Sequence, residues 1–254
     1  MIEISADHQS SSASGSGQDR HPHPTGAHYP AELSRDLAAA LTPEALAQMG
    51  GAAPAICLDT WLGSLGTNEG ALTGQSCRCG APPVNNPAGL RYHAARRIAL
   101  GGHASLYSDM ALDALGALAL CHQRDRLAAS NHEVGGNASA ESPSPGAWPS
   151  PCIHTRAREY LAEYVGRYFS YLAQRHLVQA VGTAALPTIP AACAARKAVE
   201  SYCRGVLSEI SLDAFGEHLC QALTAPSESA RIAQVSDSLT SVLNGAVAKI
   251  TEIT

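Results

Sequence analysis

Twice in this chain a capping residue and a proline open a segment that closes on a glycine pair: Thr42-Pro43 to Gly50-Gly51, and Asn86-Pro87 to Gly101-Gly102. A Thr or Asn side-chain oxygen accepts from the unpaired N–H groups of a first helical turn, and proline at the first helical position forfeits no hydrogen bond. Glycine then takes the backbone conformation that stops the helix. This punctuation commits both segments to helices. What lies around them agrees, because alanine and leucine are abundant while aromatic residues make up only 5% of the chain. Such a chain packs helices closely through small side chains and has little of the β-branched and aromatic material that strands prefer. The expected fold class is all-α, a helical bundle-like arrangement.

The remaining helices follow from periodicity and breakers. "PAELSRDLAAAL" predicts a short first helix, and "AICLDTWLGSL" another. From about Ser105 to Ala129, Leu106, Met110, Leu112, Leu115, Leu118 and Leu120 cover nearly every side, which predicts a buried central helix. Four more helices are expected at about 155–181, 190–210, 211–224 and 229–252, divided by Pro187, Pro190 and Pro226. Residues 1–29 are rich in Ser, Gly, His and Pro and carry almost nothing apolar after Ile4, so they are expected to be a disordered tail. The Ser/Pro/Gly-rich stretch 130–151 is long for the interior of one domain and reads as a linker. It divides the chain into an N-terminal helical lobe, 30–129, with a long irregular loop at 66–86, and a C-terminal helical lobe, 152–254.

Charge and hydropathy narrow the partners. The net charge is about -5, and the densest basic cluster, Arg91, Arg96 and Arg97, is too small for a nucleic-acid footprint. The longest apolar run, "MALDALGALALC", is too short to span a bilayer and is broken by Asp113, so no membrane partner is expected. Met1 to Gln18 has neither the basic start nor the apolar core of a secretory signal. The expectation is therefore a soluble, cytoplasmic protein whose eight cysteines are free thiols.

Cys77 and Cys79, one residue apart in a Gly/Pro-rich loop, are the candidate metal ligands. Tetrahedral zinc wants four ligands, usually as two close pairs with a two-residue gap. Here the gap is one residue and no second pair is evident; His218 and Cys220, two apart on a helix, point to different faces. No cofactor is expected, zinc included. The chain also lacks a phosphate-cradling Gly-rich loop with lysine, a GxSxG elbow and an HExxH helix. Catalysis is accordingly not expected, and no catalytic residue is assigned.

Interaction remains. Tyr160, Tyr164, Tyr168 and Tyr171 fall on one helical face, either lining a core with hydroxyls at its rim or forming a partner-binding face, where tyrosine is a favoured anchor. Leu239, Val242 and Ile250 belong to an apolar stripe on the last helix, which either packs on its own domain or supports self-association. The expected function is a non-enzymatic interaction or regulatory protein with a protein partner.

Four segments in order, "ICLDTWLGSL", "ALDALGALALCHQRDRLA", "LAEYVGRYFSYLAQ" and "ISLDAF", resemble the C-terminal regulatory region of fungal zinc-cluster transcription regulators of the aflatoxin-cluster type. The resemblance spans most of residues 50–254 and implies a helical regulatory domain in the nucleus. DNA binding is not carried over, since the six-cysteine cluster of that family is absent; a second departure is that Cys121 is followed by His122 where the family tends to have a second cysteine two residues on. Two further alternatives are an exported bacterial effector without a classical signal peptide, from the serine-rich start and scarce lysine, and an all-helical enzyme or cofactor binder using scattered His, Cys and Tyr residues.

Overall fold

The computed structural model describes residues 29–66, 86–133, 150–183 and 186–252. Its helices are α1 (Tyr29–Ala39), α2 (Pro43–Met49), α3 (Ala52–Gly66), α4 (Pro87–Leu100), α5 (Leu106–Glu133), α6 (Ser150–Ala180), α7 (Ile189–Glu209), α8 (Asp213–Ala222) and α9 (Glu228–Glu252). Among the described residues the sole β pairing is an isolated bridge between Val181 and Leu186. The protein is all-α. The expected tail, Cys77 and Cys79 in their loop, and most of the expected linker lie outside the described residues.

The capping residues act as their chemistry requires. Thr42 Oγ1 accepts from the Ala45 N–H at 3.2 Å, and Asn86 Oδ1 accepts from the Gly89 N–H at 2.6 Å. At the far ends, the Gly50 N–H returns to the Leu46 carbonyl and the Gly101 N–H to that of Arg97. Gly102 then takes a φ of +70°, open to glycine at no steric cost. Thr188 repeats the capping device ahead of Pro190 in α7, and Ser227 caps α9.

Helices from both sides of the 130–151 stretch share one continuous apolar core. α6 packs against α1, α5, α7 and α8, while α3 packs against α4, α5 and α9. The break in composition at 130–151 is thus a break in the sequence that the core spans.

The all-round buried helix is α3. Every residue from Ala53 to Leu62 is buried, because α4, α5 and α9 enclose it. The same expectation for α5 needs correction. Met110, Leu112, Leu115 and Leu118 are buried, but Leu106 and Leu120 are 42% and 59% exposed. Neighbours cover α5 on the sides facing α3, α4 and α6, and these two leucines stand outside them.

The tyrosine and C-terminal stripes are also corrected as interaction sites. Tyr160, Tyr164 and Tyr168 are buried, and only Tyr171 keeps partial exposure. The Tyr164 hydroxyl donates to the Met49 carbonyl at 2.9 Å and that of Tyr160 to the Pro54 carbonyl at 3.3 Å, so the polar tips are satisfied inside the bundle. On α9, Leu239 and Ile250 are fully buried against the rest of the chain, and Val242 is half-buried on the same core. Tyr160, Tyr164, Tyr168, Leu239 and Ile250 are thus covered by the chain itself, and Tyr171 and Val242 in part.

Candidate functional site

Two features of this bundle differ from ordinary packing. The first is a buried charge. Asp59 interrupts the apolar sequence of α3 and is 2% exposed. A lone carboxylate there would be costly, and two arginines meet it, one 38 and the other 172 positions away in the chain. Arg97 of α4 places its guanidinium 2.5 Å from Asp59 Oδ2, and Arg231 of α9 holds Oδ1. Arg97 also donates to Thr60 Oγ1 at 2.6 Å and to Glu228 at 2.7 Å. The carboxylate beside Arg231 holds that guanidinium above its usual range. Every charge in this group is matched by its neighbours, which makes it a fastening between α3, α4 and α9 rather than an open site.

A second charge array runs over the surface from α4 to α7: Arg91, Asp113, Arg167, Glu163, Arg204 and Glu200 pair successively. A shallow groove between α4 and α5, with Gly116 and Ala117 on its lining, includes Arg91, Asp113 and Arg167. Its charges are likewise mutually neutralised.

Another such feature is the end of the α6–α7 hairpin. Arg196 of α7 donates to Gln174 of α6 at 3.2 Å, which sets the two helices abreast, and the Gly182 N–H donates to the Leu186 carbonyl at 2.8 Å to close the turn. Leu177 and Leu186 point into the core. Outward, Val178 is 67% and Ile189 70% exposed. Between Glu163 and Glu200 the chain contains none of its 22 Asp and Glu residues, yet it carries Arg175, His176, Arg196 and Lys197 in that interval. Among the described residues no carboxylate pairs with Arg175, Arg196 or Lys197. Arg175 lies over the Tyr171 ring at 6.0 Å, a cation–π contact that holds it at the surface. Helical spacing puts Arg175 and Val178 on one strip of α6, and Ile189, Cys193 and Lys197 on one strip of α7.

Sequence reasoning missed this patch because it looked for aromatic anchors and read the run as a helix boundary marked by prolines. The acid-free interval was the available signal. Of the residues of the tyrosine and C-terminal stripes, Tyr171 touches the patch, through Arg175. Among the described residues no group of three or more His, Cys, Asp or Glu side chains is placed to hold a metal ion, and no helix is long and apolar enough to cross a membrane.

The buried thiols behave as core atoms. Burial pushes Cys57 up to about 12, against a smaller opposite effect of the Tyr160 hydroxyl beside it, and pushes Cys203 up to about 12, against Ser34. Burial also raises Tyr160 and Tyr164 well above the usual phenol range. The folded protein keeps these protons while the unfolded chain releases its thiol protons from about pH 9. Their contribution to stability is complete below pH 9 and declines as the pH rises from about 9 to about 12. Urea unfolding between pH 7 and 11 should show a midpoint that is flat to about pH 9 and then falls; a midpoint unchanged to pH 11 would contradict the burial of these groups.

Comparisons with protein-family models, curated proteins and solved structures find no match to this chain. The segments that resemble the fungal regulators include "ICLDTWLGSL" in α3 and "LAEYVGRYFSYLAQ" in α6.

Proposed function

We propose that this chain is a non-enzymatic, all-helical interaction or regulatory protein that engages a protein partner through the end of its α6–α7 hairpin. The observation that carries this reading is that the hairpin bares two aliphatic side chains, Val178 and Ile189, on the same helical strips as Arg175 and Lys197, which no carboxylate of the described residues neutralises. Elsewhere, the Tyr160 and Tyr164 hydroxyls have acceptors inside the bundle and Asp59 has its arginines. Aliphatic anchors surrounded by polar rim groups are what protein interfaces bury at their centres.

The test is a photo-crosslinking amino acid placed at position 178 or 189, with exposed Asn244 of α9 as the control position. A defined partner should crosslink at 178 and 189 and not at 244. Binding of that purified partner should weaken at least roughly ten-fold in a Val178→Asp, Ile189→Asp protein. Equal crosslinking at all three positions would remove the reading.

A further inference from the structure

The charge pattern of the hairpin end also specifies what kind of partner segment it takes. We propose that this surface docks an acidic, amphipathic segment of a partner protein, one that offers Asp or Glu side chains beside a pair of apolar residues. The inference rests on the interaction reading above and goes further by naming the chemistry of the other side.

Two observations select this occupant. The first is complementarity of charge. Arg175 and Lys197 are exposed and Arg196 lies beside them, in an interval without any Asp or Glu, on a chain whose net charge is -5. Field lines from such a local excess of positive charge draw acidic groups to this end, while the net negative remainder repels them elsewhere. The second is the apolar component. Val178 lies one helical turn from Arg175 on α6, and Ile189 shares a strip of α7 with Lys197; the two aliphatic side chains are 67% and 70% exposed. A nucleic acid backbone would match the cations and leave both aliphatic side chains in water. An acidic segment with apolar residues of its own covers both kinds of group at once.

The described flanks of the hairpin are held by local chemistry. Pro187 and Pro190 restrict the turn, Thr188 caps α7, and Leu177 and Leu186 anchor the two strips from beneath. A preorganised surface loses little conformational freedom on binding.

The experiment uses the full chain and a fluorescently labelled synthetic peptide of Asp and Glu residues carrying two leucines at helical spacing. Three comparison probes accompany it: the same peptide with the leucines changed to serine, single-stranded DNA, and vesicles of phosphatidylcholine with phosphatidylserine. Saturable binding of the leucine-containing peptide is expected, weakening roughly ten-fold as salt rises from about 50 to about 300 mM. Arg175→Glu with Lys197→Glu should lose binding at least ten-fold, and Val178→Ser with Ile189→Ser should lose it by a similar factor. Circular dichroism and thermal midpoints of both variants should match those of the parent, since all four side chains are exposed.

Equal binding of the serine peptide, of DNA or of the vesicles would show a general polyanion surface or a lipid surface and overturn the assignment. So would equal binding by parent and variants, or no binding of the peptide. A gain in peptide affinity on deleting residues 1–28, which include Glu3, Asp7 and Asp19, would make the chain's own N-terminal segment the occupant and overturn it too. A crosslinked partner without an acidic segment would defeat this inference while leaving the broader interaction reading intact.

Discussion

Replacing Asp59 with alanine should lower stability by about 3 kcal/mol. Removing one member of a buried ion pair strands its partners in a poor solvent, a loss of roughly 3–5 kcal/mol where burial is complete. Here Arg97 and Arg231 keep 26% and 28% of their side chains exposed. Each can turn partly towards water, so the lower end applies. For a chain of this size each kcal/mol moves the thermal midpoint by roughly 2–4 °C, which gives a fall of roughly 6–12 °C. Glu228→Gln supplies the contrast. That carboxylate touches the same Arg97 but is 61% exposed, and its loss should cost under about 0.5 kcal/mol. Differential scanning calorimetry of the two variants measures both quantities, and an Asp59→Ala midpoint within about 2 °C of the parent would refute the fastening role.

Gly50→Ala should be comparably damaging for a different reason. A Cβ at this position would lie 2.1 Å from Thr240 Oγ1 and 2.8 Å from Thr240 Cα. The hydroxyl could rotate away, but the Cα belongs to the backbone of α9. The helix itself must shift, although Ser236 ties it here by donating to the Gly50 carbonyl at 2.7 Å. Overpacking of this kind costs about 3 kcal/mol. Gly245, within α9, has open space around its Cβ direction. Gly245→Ala should therefore gain about 0.5–1 kcal/mol from helix propensity alone. Urea unfolding of the pair should move the midpoint in opposite directions; a destabilisation at both positions would show that close approach at Gly50 is not the cause.

These two positions also show which parts of the fold were legible beforehand. Gly50 was readable as a helix stop, since that role depends on neighbours in the sequence: Thr42, Pro43 and Gly51. Its contact with Thr240 was not, because it joins residues far apart in the chain. Asp59 stood out as a charge within an apolar run, but nothing local names Arg97 or Arg231 as its partners. The same distinction governs the helices. Caps and breakers placed α4, α7, α8 and α9 within a few residues, whereas the degree of burial depended on which neighbours arrived. Hence α3 proved more deeply enclosed than α5, despite the longer leucine series in α5. For the candidate surface, the absence of Asp and Glu from 164 to 199 was in the sequence. That Val178 and Ile189 stand outward while Leu177 and Leu186 turn inward is decided by the packing of the hairpin.

The fastening at Asp59 also orders the events of folding. α6 and α7 are near neighbours in sequence and can pair early, with a short loop to close. Arg231 reaches Asp59 across 172 positions, so the docking of α9 on α3 is a long-range closure whose entropy must be met before its contacts form. Until that closure the apolar residues of α3 have no cover from α9, and a chain halted at this stage is the species most prone to aggregate. The last helix thus sets the interval during which the folding chain is vulnerable.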